Sequence, residues 1–219
     1  MGKKWRTMRS FKISLLLLSL VMLPLSGCSS FTAYVYNKSA SAPKNMPDEI
    51  IRHLEIEPGM QIADLGAGGG YYTVRFAQLV GEQGMVYAID VNENFLKIIE
   101  EEGAKRGLKN IRTILANPDD SLLPEKSVDL VFVRNVYHHL PSPEKYFQAL
   151  IKKLKPGGRV AIVEYGKLGF FSLIRIFGHC AAEEEVIETL GRAGYRLTQK
   201  YEFLKKQSFT IYSLAEAGR

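Results

Sequence analysis

The last two strand-like runs of the chain constrain its fold most. Residues 195–204 and 208–214 alternate in the manner of strands and are separated only by Lys205, Lys206 and Gln207. Three residues cannot hold a crossover helix, so this pair must close as an antiparallel hairpin. Everything before it follows a different rule. Strand-like segments at 60–65, 85–90, 111–115, 128–133 and 159–164 are each followed by a helical pattern or by a turn into one. The helical patterns fall at 73–80, 93–106, 143–154 and 183–193, and a short one opens the series at Pro47. Alternation of this kind predicts a parallel sheet with crossover helices on both faces. The expected architecture is therefore a Rossmann-like, doubly wound α/β sheet of seven strands, mostly parallel and ending in an antiparallel hairpin.

The segment after the first strand carries the chemistry. Asp64-Leu65-Gly66-Ala67-Gly68-Gly69-Gly70-Tyr71 leaves a strand and enters a helix. Glycines allow the sharp turn there, and the missing Cβ atoms let a ligand approach the backbone. Asp90 ends the second strand, 24 residues after Gly66. An acid about 20 residues downstream suits the hydroxyls of a ribose. The ligand expected from these residues is nucleotide-like. The dinucleotide pattern G-x-G-x-x-G fails at its third glycine, where Tyr71 stands. With the terminal hairpin, that disfavours an NAD-dependent oxidoreductase.

These residues resemble the first motif of class I S-adenosylmethionine-dependent methyltransferases. Further stretches carry the likeness along 46–215: Tyr87-Ala88-Ile89-Asp90, Leu122–Val131, Tyr137-His138-His139-Leu140 and Leu154–Arg159. The nearest pattern is the small-molecule group that includes quinone-biosynthesis C-methyltransferases. The resemblance implies S-adenosyl-L-methionine as cofactor and a small-molecule acceptor. It assigns cofactor binding to Asp64, Gly66, Ala67, Gly68, Gly70, Asp90, Val91, Asn117 and Asn135, with Asn117 standing where the family commonly has Asp. Methyl transfer to an activated sulfonium mainly requires positioning, and a base is needed only where the acceptor loses a proton. Tyr137, His138 and His139 are the catalytic candidates; Glu164 and Tyr165 also lie past strand ends, and His179 precedes the last helix. A non-catalytic binding module on the same fold is the alternative. The apolar run Phe170–Phe177 is read equally as a substrate lid or as core.

The charge is unevenly placed. The 219 residues hold 29 Lys+Arg against 23 Asp+Glu, a net of +6, yet 1–27 carry five basic residues and no acid. Removing them leaves 24 basic and 23 acidic residues, so the folded part is near neutral. A bulk electrostatic grip on nucleic acid loses its support. The basic stretch precedes an 11-residue apolar run, 13–23, too short to span a bilayer but suited to a signal-peptide core. Leu25-Ser26-Gly27-Cys28 then resembles the lipobox of bacterial lipoproteins, which implies acylation of Cys28 and an envelope protein held to the membrane by lipid. Ser29 in place of Asp points, by the same resemblance, to the outer membrane of a two-membrane cell. The expected organisation is a signal peptide at 1–27, a tether at 28–46 and a methyltransferase domain at 47–219. Initiation at Met46 would instead give a cytoplasmic enzyme. Two cysteines support neither a disulfide framework nor a metal cluster. Oligomeric state is left open by the sequence.

Overall fold

The computed structural model describes residues 29–166 and 180–215. Cys28, Phe170–Phe177 and His179 lie outside the described residues. The strands are β1 (Gln61–Leu65), β2 (Met85–Asp90), β3 (Ile111–Leu115), β4 (Val128–Arg134), β5 (Leu154–Tyr165), β6 (Tyr195–Tyr201) and β7 (Gln207–Leu214). They form one sheet in the order β3-β2-β1-β4-β5-β7-β6. β1 to β5 run parallel, and β7 pairs antiparallel with β5 and with β6. The seven-stranded, mostly parallel sheet with a terminal hairpin is thus the architecture the sequence predicts. The chain order reverses between β1 and β4, the switch point where ligands of such sheets bind.

The helices are α1 (Ser29–Ala40), α2 (Pro47–His53), α3 (Tyr71–Val80), α4 (Glu93–Lys105), α5 (Pro143–Leu150) and α6 (Glu183–Arg192). α4 is capped by Asn92, whose side chain accepts from the Asn94 amide at 3.0 Å. α5 stops short of the expected residue 154, because Ile151–Lys153 tighten into a 3-10 turn and Leu154 already joins β5. β5 therefore begins before Pro156-Gly157-Gly158, which sits in a register shift between its pairs with Val128 and Leu130.

The core lies on both faces of the sheet. On one face Ile62, Phe76, Leu130, Phe132, Val163 and Phe209 pack together; on the other Val131, Val133, Phe147, Val160, Ile162 and Leu190 do. Phe132 is fully buried, with ring centroids 4.8 Å from Tyr72 and 5.3 Å from Phe76. Phe132→Ala is expected to cost about 3–5 kcal/mol, the range for deleting a buried aromatic ring. Chemical denaturation checks this, and a loss below about 1 kcal/mol would show that the site collapses around the gap.

Residues 29–46 depart from the tether expectation. Ser29–Ala40 form a helix that packs on the domain through Ala33 and Ala40, and Pro43–Asn45 make a 3-10 turn into α2. Only small residues face inward, so the segment lacks the broad apolar stripe by which amphipathic helices are read.

Candidate active site

The site is built at the carboxyl ends of β1, β2 and β4. Gly66 and Ala67 leave β1 with their amides bonded to the Ile89 carbonyl at 2.8 and 3.0 Å. Gly66 has φ +71°, and a Cβ there would stand 2.2 Å from Val136 Cγ2. Glycine is therefore required both for the left-handed backbone and for space. Asp90 holds the loop from the side. Its Oδ2 accepts from the Gly68 amide and its Oδ1 from the Asn92 amide, both at 2.9 Å. Each oxygen keeps a second lone pair for a ligand hydroxyl.

Asp64 is buried at the base of the loop and accepts from Thr73 Oγ1 at 2.6 Å. Burial pushes its carboxyl up to about 6, against the opposing hydrogen bond from Thr73. Arg134 ends β4 on the same side. Its Nε and Nη2 are buried with no hydrogen-bond partner among the described residues, and its guanidinium lies 5.7 Å from the Tyr72 ring centroid. A desolvated cation of this kind calls for an anionic or carbonyl acceptor.

α1 closes the remaining side. Asn37 Nδ2 donates to the Gly69 carbonyl at 2.7 Å, and Asn37 Oδ1 accepts from the Tyr71 amide at 3.0 Å. Tyr36 packs edge-on against Phe95 with centroids 5.7 Å apart. The result is a cleft of about 1130 Å³ between α1, the glycine loop and the β4 loop.

Most of the predicted residues meet in this cleft. Asp64, Gly66, Ala67, Gly68, Asp90, Val91, Asn117, Asn135, His138 and His139 all line it. Asn135 has a left-handed backbone (φ 54°), and its Oδ1 accepts from Gln207 Nε2 of β7 at 2.7 Å. Two predicted residues do not line the cleft. Gly70 lies beneath the loop, where a Cβ would stand 2.6 Å from Ile99 Cγ1, so its part is packing and not ligand contact. Tyr137 points into the core, 2% exposed, with its ring stacked on Phe147 at 6.2 Å. The 3-10 turn Tyr137–His139 turns successive side chains to different sides, which sends His138 and His139 to the cleft and Tyr137 away from it.

His138 Nδ1 lies 3.0 Å from Glu164 Oε1, and both side chains are almost fully buried. Glu164 Oε1 also accepts from the Tyr165 amide at 2.8 Å. A carboxylate that fixes one ring nitrogen sets the orientation and tautomer of an imidazole, the arrangement of a positioned base. Arg134 and the whole of α1 were missed by the sequence reading.

A family model described as "Methyltransferase domain" matches residues 56–211. The chain belongs to that family. The methyltransferase domain is similar to the ubiquinone/menaquinone biosynthesis C-methyltransferase UbiE of Vibrio vulnificus, with 28% identity over 121 residues. That match covers 55% of this chain and 46% of the relative, so the chain spans about half the length of the curated relatives it matches. A SAM-dependent methyltransferase from Aquifex aeolicus matches with a TM-score of 0.76 and 27% identity, over 84% of this chain and 97% of that one. The [4+2]-cyclase SpnF matches with a TM-score of 0.68 and 14% identity, over 80% of this chain and 81% of that one; this likeness shows the fold alone.

The cofactor of this family, S-adenosylmethionine, fits the residues present. It supplies, when bound, an electrophilic methyl group on a sulfonium. Asp90 and the amides beside it would hold the ribose. Asp64 would face the cationic methionine end, and the orphaned Arg134 guanidinium suits the carboxylate.

The raised Asp64 gives a pH dependence of known sign. The folded-state carboxyl binds its proton more tightly than an unfolded one near 3.9. The unliganded fold therefore loses stability as pH rises from about 4 through 6. A cationic ligand favours the ionised form, so cofactor affinity is expected to fall as pH drops through about 6. Calorimetry across that range checks this. An Asp64→Asn variant should lose the dependence, and a wild-type affinity flat with pH would remove Asp64 from the ligand's surroundings.

Proposed function

We propose that the protein transfers the methyl group of S-adenosylmethionine to a small hydrophobic acceptor at the membrane of the cell envelope, to which acylated Cys28 holds it. The observation that carries this reading is the cleft. Its volume of about 1130 Å³ exceeds the range of about 300–1,000 Å³ usual for one ligand. It leaves room for an acceptor beside the cofactor. The lining includes apolar and aromatic side chains, Val136, Leu140 and Tyr146, as well as His138 and His139. The matched relatives are named for quinone biosynthesis, and an aromatic, lipid-like acceptor suits such a wall.

His138 would take the proton that the acceptor loses when the methyl carbon bonds to it and the methyl–sulfur bond of the cofactor breaks with its electron pair left on sulfur, and Glu164 keeps the ring oriented. His138→Ala is expected to slow methyl transfer about 10²–10⁴-fold with cofactor affinity unchanged. An unchanged rate would show that the acceptor needs no base.

The α1 clasp supports a chain that retains α1 as the working enzyme. Initiation at Met46 would remove α1, the Asn37 bonds to Gly69 and Tyr71, and one wall of the cleft. The test is transfer of labelled methyl from S-adenosylmethionine to separated envelope-lipid and soluble extracts. Label entering an extractable lipid is the expected result. Label confined to water-soluble products, or no transfer, would overturn the reading.

A further inference from the structure

The outer face of α1 reaches the cleft only through Val35, yet its composition is specific. Phe31, Tyr34 and Val35 are 67%, 58% and 43% exposed. Together with Lys38 they stand at the i, i+3, i+4, i+7 spacing of one helix face. Lys38 Nζ lies 5.9 Å from the centroid of the Tyr34 ring. The face opposite, Ala33 and Ala40, is buried on the domain. Large aromatic side chains on the solvent side and alanines on the protein side reverse the usual amphipathic order.

Three further facts say what covers this face. Ser29, the first described residue of α1, directly follows Cys28 in the sequence. One peptide unit, about 3.8 Å between Cα atoms, therefore separates the helix from the acylation site. No slack remains between a lipid on Cys28 and the helix. No acidic residue precedes Asp48, whereas Lys38 and Lys44 are basic, so the segment next to the lipid is positively charged. Tyr and Phe bodies with a Lys that reaches outward are the side chains suited to a headgroup layer. The helix is also fixed to the domain by Asn37, so any surface that orients α1 orients the cleft with it.

We propose that the outer face of α1, Phe31, Tyr34, Val35 and Lys38, lies in the headgroup layer of the bilayer that holds the Cys28 lipid, and that this contact turns the mouth of the cleft toward the membrane. This rests on the envelope anchoring proposed above and adds an orientation to it. The acyl chains retain the protein; α1 sets which side faces the lipid. Ser29, Thr32, Val35 and Tyr36 line the cleft from the same helix, so an acceptor dissolved in the bilayer meets the site without crossing water.

The chain carries a single tryptophan, Trp5, in the segment removed with a signal peptide. Phe31→Trp in the processed protein is thus a reporter with no background. The test places processed, lipid-bearing protein in vesicles of phosphatidylethanolamine and phosphatidylglycerol, with acyl chains brominated near the headgroups. Emission of the Phe31→Trp protein should shift to the blue and be quenched by the brominated lipid. Leu197→Trp, on β6 at the far edge of the sheet, should show neither change. Palmitate labelling in cells, dependent on Cys28, is scored in parallel. Label present with Phe31→Trp as unquenched as Leu197→Trp would overturn the inference and leave the anchoring intact. Absence of label would overturn both. Shielding of Phe31→Trp from acrylamide without lipid quenching, with a cross-linked dimer or a second protein, would show that protein covers the face and would also overturn it. Phe31→Ser combined with Tyr34→Ser should keep cofactor affinity while abolishing protection of α1 from protease on vesicles; protection equal to the parent protein would contradict the contact.

Discussion

Gly66→Ala is expected to remove measurable cofactor binding while leaving the sheet folded. Two costs coincide at this position. The backbone is left-handed at φ +71°, which costs a residue with a Cβ about 1–2 kcal/mol. The new methyl would stand 2.2 Å from Val136 Cγ2 and 3.2 Å from both Cβ and Cγ1 of the same side chain. Rotating the valine exchanges one obstructing methyl for the other, and its β-branched χ1 is stiff. The loop must therefore move. Its Gly66 and Ala67 amides would leave the Ile89 carbonyl, and the Gly68 amide would leave Asp90. A loss of at least about 100-fold in affinity, near 2.7 kcal/mol, is expected by calorimetry. Native circular dichroism separates this from unfolding. Affinity within about threefold of the parent would mean that the glycine loop does not hold the ligand.

Asp90→Ala should approach the same magnitude by a different route. The substitution removes the acceptor of two backbone amides, Gly68 and Asn92, each bonded at 2.9 Å to a charged oxygen. Hydrogen bonds to charged groups contribute about 1.5–3 kcal/mol each. It also removes the carboxylate that would accept from the ribose hydroxyls. An affinity loss of about 100-fold is expected, together with a lower melting temperature of the unliganded protein. Asp90→Asn keeps one amide acceptor and should fall between the two. Unchanged affinity in both variants would withdraw the ribose assignment.

The parts of the molecule readable from sequence are those fixed by local backbone chemistry. The glycine run after β1 and the acid at the end of β2 are separated by one helix, and the sheet register brings them together: Leu65 pairs with Ile89, one residue before Asp90. The link between the last strands, expected at three residues and five in the structure because β6 ends at Tyr201 and β7 begins at Gln207, is too short for a crossover helix and forces an antiparallel pair. What the sequence hid depends on distance or direction. His138 and Glu164 are 26 residues apart and meet only because β4 and β5 are neighbours. Arg134 reads as the polar end of a strand, and its orphaned guanidinium emerges only from burial. Tyr137 shares a motif with two cleft histidines but turns inward on a 3-10 helix. α1 reads as a tether because only Ala33 and Ala40 are buried along it, and its Asn37 and Tyr36 contacts add no helical apolar stripe.

The Asn37 clasp joins α1 to the glycine loop, and the Tyr36–Phe95 contact joins it to α4.

The central claim is that the cleft beside Asp90 takes S-adenosylmethionine. Calorimetric titration of the protein with S-adenosylmethionine and, separately, with NAD tests it most directly. Saturable binding of S-adenosylmethionine that depends on Asp90, with no heat from NAD, is the predicted result. Binding of NAD alone would contradict it.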